Sequence, residues 1–226
     1  FGTVRAVINL ALSEFGLSIM NPFSSVYFDQ SIGVKRRLSI KLEDIKRIQK
    51  DCYKANDEKR WLIALIADTG MRLAEGAGLL RTDFTRQDGV LCVTIRPHRW
   101  RSLKTKSSAR VIPLIGSAKW AAEQILDQIF ESTFAFPTYN YKKRTNANSA
   151  SASLNKWLKG RIGQTFSIHS FRHSMRDRLR EVDCPSEVID QIGGWARSGV
   201  GDSYGEGYSL SKMHNYLEKI TFSLNG

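Results

Sequence analysis

Residues 167–181 read SIHSFRHSMRDRLRE, two histidines and four arginines in a segment of helical periodicity. His169 and His173 are four residues apart and so share one helical face, the spacing of two zinc-binding histidines. A metalloprotease helix also places a glutamate directly after its first histidine as general base. This chain has Ser170 there and no third ligand nearby, so no metal is expected. Arg172, three residues after His169, lies on the same face; a guanidinium is a poor neighbour for a dication but grips phosphate oxygens with two parallel hydrogen bonds. A solvated basic helix would carry the same letters. The choice between a surface helix and a phosphate site therefore turns on the rest of the chain.

Charge favours a polyanionic partner. The 226 residues include 34 Lys and Arg against 22 Asp and Glu, a formal net charge of +12. A membrane surface would attract the same charge, but no apolar run approaches the ~18 residues that span a bilayer, and the N-terminus carries no signal-peptide pattern. Nucleic acid is the better match. Cys52, Cys92 and Cys184 are scattered without CxxC spacing and read as buried thiols of a reducing compartment.

The pattern divides the chain. Residues 1–30 open with a helical apolar series (Val4, Ile8, Leu10, Leu12, Phe15) that stops at Gly16 and again at Asn21-Pro22. One short helix cannot make a domain, and this one reads as the C-terminal remnant of a helical domain. Residues 31–38 form a basic linker, and a second domain runs over 39–226. Within it, Ser39 is a candidate N-cap for an amphipathic helix, and KRWLIALIADTGM reads as a buried helix ending at Gly70. TDFTRQDGVLCVTIRPHRW and SARVIPLI alternate like two or three antiparallel strands with a turn at Asp88-Gly89. From Ser117 onward the pattern is helical again, interrupted by the exposed loop PTYNYKKRTNANSASAS. The expected class is mostly α with a small antiparallel β-sheet.

Four separated places then supply chemistry-bearing residues. TGMRLAE puts Arg72 and Glu75 at helical i, i+3 spacing, which alone would suit an ordinary salt bridge on a following helix. The hairpin segment RSLKTKSSARVIPL carries Lys104 and Lys106. HSFR supplies His169 and Arg172, and GGWARSGVGDSY supplies Trp195 and, nine residues later, Tyr204.

In this order the motifs resemble the tyrosine recombinases of phages and mobile elements, the phage integrase family: an arginine in TGMR with glutamate at plus three, a hairpin lysine ahead of VIPL, HSFR, Gly-Gly-Trp where many members have Gly-His, and a tyrosine nine residues on. The resemblance covers residues from about 39 to the C-terminus, and residues 1 to about 30 resemble the end of the family's helical DNA-clamping domain. It implies strand cleavage and rejoining through a covalent 3′-phosphotyrosyl bond, with no metal or nucleotide cofactor, inside a homotetramer on two DNA sites, in a bacterial or phage-host cell. Integration or excision of a phage or mobile element is the implied role.

The residue types suit that chemistry. Tyr204 is the expected nucleophile, because a tyrosine oxygen can attack and later leave, conserving bond energy in an enzyme ester. His169 is a candidate to take its proton, and Arg72 and Arg172 offer fork-shaped donors to the two non-bridging oxygens. The family assigns protonation of the leaving 5′ oxygen to the hairpin lysine, here Lys104 with Lys106 as the alternative. Trp195 would pack beside the phosphate, and Glu75 would orient Arg72 or the histidine. Tyr208, four residues past Tyr204, is a second candidate nucleophile. A non-cleaving DNA-binding relative and a type IB topoisomerase-like strand transferase share these features. The apolar stripe Leu210, Met213, Leu217, Ile220 suits docking on a neighbouring protomer or packing within the chain.

Overall fold

The computed structural model describes residues 2–26, 38–128, 132–141, 144–195 and 207–222. The chain divides into two compact units, Phe1–Arg36 and Arg37–Gly226. In the first, α1 (Gly2–Glu14) buries none of its residues, and Gly16 adopts a left-handed conformation after it. Asn21, itself buried, donates to the Arg5 carbonyl and the Asn9 side chain and so closes the following turn back onto the helix.

The second unit is built around one buried helix. α2 (Leu42–Ala55) precedes α3 (Glu58–Thr69), in which every residue from Trp61 to Thr69 is buried. The side chain of Asp57 caps the amide of Arg60, and Gly70 ends the helix in the left-handed region at φ 60°. A short helix, α4 (Leu73–Ala77), leads into β1 (Phe84–Gln87), β2 (Val90–Ile95) and β3 (Arg110–Pro113). These make one antiparallel sheet in the order β1-β2-β3, with Phe84 opposite Val93 and Ile95 opposite Arg110. The β1–β2 turn is at Asp88-Gly89, both at positive φ as a tight two-residue hairpin requires. α5 (Gly116–Asp127), β4 (Asn140–Tyr141), β5 (Arg144–Thr145), α6 (Ala147–Ile162), α7 (Ile168–Glu181), α8 (Ser186–Gly193) and α9 (Leu210–Ile220) complete the order. α3 packs against α2, α5 and α7, and β3 against α8 and α9. Mostly helical with a small antiparallel sheet, the architecture is the expected class.

Three local readings differ from the expectation, and a fourth that had two alternatives is resolved. Ser39 does not cap α2, whose N-cap is Lys41; the Ser39 hydroxyl instead bonds Asp177 on α7. The loop expected before α6 contains the β4–β5 pair, and the helix starts as early as Ala147 because Asn146 caps the amide of Ser149. Arg72 is not on a helix: it is the extended N-cap of α4. Last, the apolar stripe of α9 is covered within the chain, with Met213, Leu217 and Ile220 buried against β3 and α7. Arg178 fixes the end of that helix by donating to the Ile220 carbonyl and, from the same side chain, to Ala67 at the end of α3.

The three cysteines are buried free thiols. Among the described residues no helix is long and apolar enough to cross a membrane.

Candidate active site

The site forms where the end of α3, the foot of the β2–β3 hairpin, the first turns of α7 and the end of α8 meet. Gly70 suits this convergence: its φ of 60° favours glycine, and a Cβ there would lie 2.6 Å from Met175 Cε on α7 and have to displace that side chain's tip. The reward is a hydrogen bond across 102 residues of sequence. Arg172 Nη1 donates to the Gly70 carbonyl at 2.8 Å and to the Gly193 carbonyl at 2.5 Å, tying α7 to the ends of both α3 and α8.

Two residues beyond Gly70, Arg72 is gripped from both sides. Its backbone N–H donates to Glu75 Oε2 at 2.9 Å, and its Nη1 donates to Glu75 Oε1 at 2.7 Å and to Ser108 Oγ at 2.9 Å. The i, i+3 pair is thus a cap rather than a surface salt bridge: the carboxylate closes the free amide of the helix start while holding the guanidinium. Glu75 is only 3% exposed, and its Oε2 also accepts from Arg110 at 3.1 Å. Burial pushes its carboxyl up, but the Arg110 charge and the Arg72 hydrogen bonds outweigh that and hold it below the usual carboxylate value.

Arg172 is buried, and its Nη2 has no hydrogen-bond partner among the described residues. A buried unpaired guanidinium nitrogen costs free energy unless something fills its place, and an anion is the natural complement. Burial, then the neighbouring positive charges of Arg72 and Arg110, lower its pKa to about 9, which still leaves it cationic at neutral pH. The Trp195 ring lies over this guanidinium at 4.0 Å and over that of Arg176 at 4.7 Å, a stacking that holds the plane of Arg172. His169 sits in the first turn of α7 with its ring edge-on to His173 at 5.2 Å. Among the described residues no three His, Cys, Asp or Glu side chains form a cluster that could hold a metal ion.

The structure therefore brings together Arg72, Glu75, Arg172 and Trp195, with His169 one turn before Arg172. Lys104 is exposed in the β2–β3 hairpin, and Lys106 opens the short 3-10 turn Lys106–Ser108. Tyr204 lies outside the described residues. Tyr208 is packed partly against the core, with its backbone held at both polar atoms by the Gln191 side chain and Lys212 over its ring at 4.5 Å. Sequence reasoning missed Ser108 and Arg110. Arg110 had a signal: in RVIP the period of two puts it on the same face as Ile112, which points into the core.

The phage integrase family model matches residues 39–206, and the chain belongs to that family. No curated protein matches it. Among solved structures it is similar to XerA recombinase, at 15% identity and a TM-score of 0.54 over 94% of this chain and 68% of that one. It is also similar to the Tn1549 transposon integrase in complex with circular intermediate DNA, at 16% identity and 0.58 over 96% and 77%. A lambda integrase tetramer bound to a Holliday junction matches at 15% identity and 0.58 over 89% and 56%. At such identities the likeness is one of fold, and the fold is that of the tyrosine recombinases.

Proposed function

We propose that this chain cleaves and rejoins DNA strands as a site-specific recombinase, through a covalent 3′-phosphotyrosyl bond on Tyr204. The observation that carries the reading is the convergence of Arg72 and Arg172, 100 residues apart in sequence, each anchored by carbonyl or carboxylate groups, with a buried donor of Arg172 left over. A surface basic helix has no reason to bury and orient such a group.

In the proposed reaction the phenolic oxygen of Tyr204 bonds to phosphorus as the bond from phosphorus to the 5′ oxygen breaks. The phenolic proton passes to His169, and the leaving 5′ oxygen takes a proton from the hairpin lysine, Lys104 or alternatively Lys106. Arg72 and Arg172 donate to the non-bridging oxygens as charge builds on them, and a site already rigid before DNA arrives loses little in reorganising. Trp195 holds the Arg172 plane, and Glu75 orients Arg72. Strand joining is the same step in reverse, with a 5′ hydroxyl attacking the phosphotyrosine.

Residues 39–226 would be the catalytic domain and residues 1–30 the end of a DNA-clamping domain, joined by 31–38. The +12 charge suits double-stranded DNA as partner. Assembly as four protomers on two sites, and a role in moving a phage or mobile element within a bacterial cytoplasm, follow from the same reading; the lambda integrase neighbour is itself a tetramer on a Holliday junction. The test is Tyr204→Phe on a nicked suicide duplex. Adduct should disappear while DNA affinity stays within about 1 kcal/mol, since one hydroxyl is lost and few phosphate contacts with it. Undiminished adduct from this variant contradicts the assignment.

A further inference from the structure

Arg110 has no part in the chemistry above, yet it is an enclosed cation of the site. Its side chain is 3% exposed, and all three guanidinium nitrogens are used. Nε donates to the Ile192 carbonyl at 2.7 Å, Nη1 to the Ser108 carbonyl at 2.6 Å and Nη2 to Glu75 Oε2 at 3.1 Å.

Each acceptor is one step from a residue with a proposed role. Glu75 holds Arg72. Ile192 precedes Gly193, whose carbonyl receives Arg172. Ser108 stands at the foot of the hairpin that carries Lys104 and Lys106, and it is held at both ends: Arg110 takes its carbonyl and Arg72 its hydroxyl, while Thr105 bonds the same hydroxyl at 2.9 Å from within the loop. A guanidinium presents its donors in a fixed planar fork, so three acceptors bound to one such group are fixed relative to each other. A lysine ammonium, with rotatable donors on a flexible stem, imposes no such frame. Gly194 belongs to the same device. It lies at φ 64°, and a Cβ on it would come within 2.6 Å of Arg110 Nη1, so the backbone closes directly over the guanidinium.

We infer that Arg110 is a positioning residue for the leaving-group step. It anchors the hairpin foot against the arginine pair, so that the hairpin lysine meets the 5′ oxygen as the arginines hold the phosphate. The inference rests on the recombinase reading. It singles out the leaving group because Arg72 and Arg172 keep other anchors when Arg110 is lost. Arg72 retains both Glu75 oxygens, Oε1 at its guanidinium and Oε2 at its backbone N–H, and Arg172 retains the Gly70 and Gly193 carbonyls. The Ser108 carbonyl, by contrast, has its side-chain donor in Arg110.

Single-turnover cleavage at saturating protein, on two suicide duplexes, reads this directly. One duplex is ordinary DNA; the other has sulfur in place of the bridging 5′ oxygen at the scissile phosphate. A thiol has a pKa of about 8.5, so its anion departs without an acid, and a misplaced lysine no longer matters. Arg110→Lys should slow cleavage of the ordinary duplex by about 10–100-fold, the scale of an ångström-level misplacement. On the sulfur duplex it should stay within about 3-fold of the parent protein. Arg110→Gln, which keeps a donor but loses the three-way fork, should show the same split and serves if Arg110→Lys fails to fold. Parent-like rates on ordinary DNA, or equal slowing on both duplexes, overturn the inference. A parent protein that forms no adduct on either duplex contradicts the recombinase reading instead.

Discussion

Replacing Glu75 by glutamine removes one charge and almost no volume from the place where the site is most tightly built. The carboxylate accepts three hydrogen bonds, from the Arg72 backbone, the Arg72 guanidinium and Arg110, at 2.9, 2.7 and 3.1 Å. With the charge gone, Arg110 is buried without a counterion and faces Arg72 and Arg172. Breaking a buried ion pair by removing one partner costs about 3–5 kcal/mol, and glutamine, which keeps one acceptor, belongs near the lower end, about 3 kcal/mol. For a unit of this size each kcal/mol moves Tm by roughly 2–4 °C, so Glu75→Gln should melt about 6–12 °C lower at pH 7. The pH dependence has a definite sign. The folded-state pKa of Glu75 lies below its unfolded value of about 4.3, so this stabilisation is complete above that value and fades as pH falls through the folded pKa. The Tm gap between parent and variant should therefore be widest near neutral pH and close in acid. Thermal unfolding followed by circular dichroism across that range is the assay. A gap below about 2 °C at pH 7, or one that widens in acid, refutes the reasoning.

Arg172→Lys keeps the positive charge but loses the planar fork and the stacking on Trp195, and single-turnover cleavage should slow by about 10²–10³-fold. Arg180→Lys is the control, because Arg180 is exposed and pairs only loosely with Asp177 at 3.6 Å; Arg176 is unsuitable, since it stacks on Trp195 and pairs with Asp190. Equal rates for both variants would leave Arg172 a buried structural arginine with no part in the chemistry. DNA affinity should fall steeply with salt, log K dropping by roughly 0.9 per neutralised phosphate for each decade of salt, and filter binding between low and physiological ionic strength would expose a flat response.

The elements of the second unit were legible because their periodicities are strong. The all-apolar run before Gly70 could only be a buried helix, and the Asp88-Gly89 turn between alternating segments could only be a hairpin. Motif order carried the site, since Arg72 and Arg172 are brought together by tertiary folding that no local pattern encodes. Local geometry was less legible. Arg-x-x-Glu has helical spacing, yet Arg72 is an extended cap, because a carboxylate three residues on can close the helix start by bonding the free amide. Arg110 went unnoticed because a charged residue in a short strand reads as solvent-facing. Its buried register follows from pairing opposite Ile95, a tertiary fact. The α9 stripe had two equally good partners in the sequence, and only packing shows that β3 and α7 cover it.

The central claim is that Tyr204 becomes covalently attached to DNA, and peptide mapping of the adduct trapped on a suicide duplex tests it most directly. The account predicts a phosphotyrosyl nucleotide on the peptide containing Tyr204, fragmented so that Tyr204 and Tyr208 are resolved. Attachment at Tyr208, whose backbone is pinned by Gln191, or the absence of any adduct at saturating protein, would contradict it.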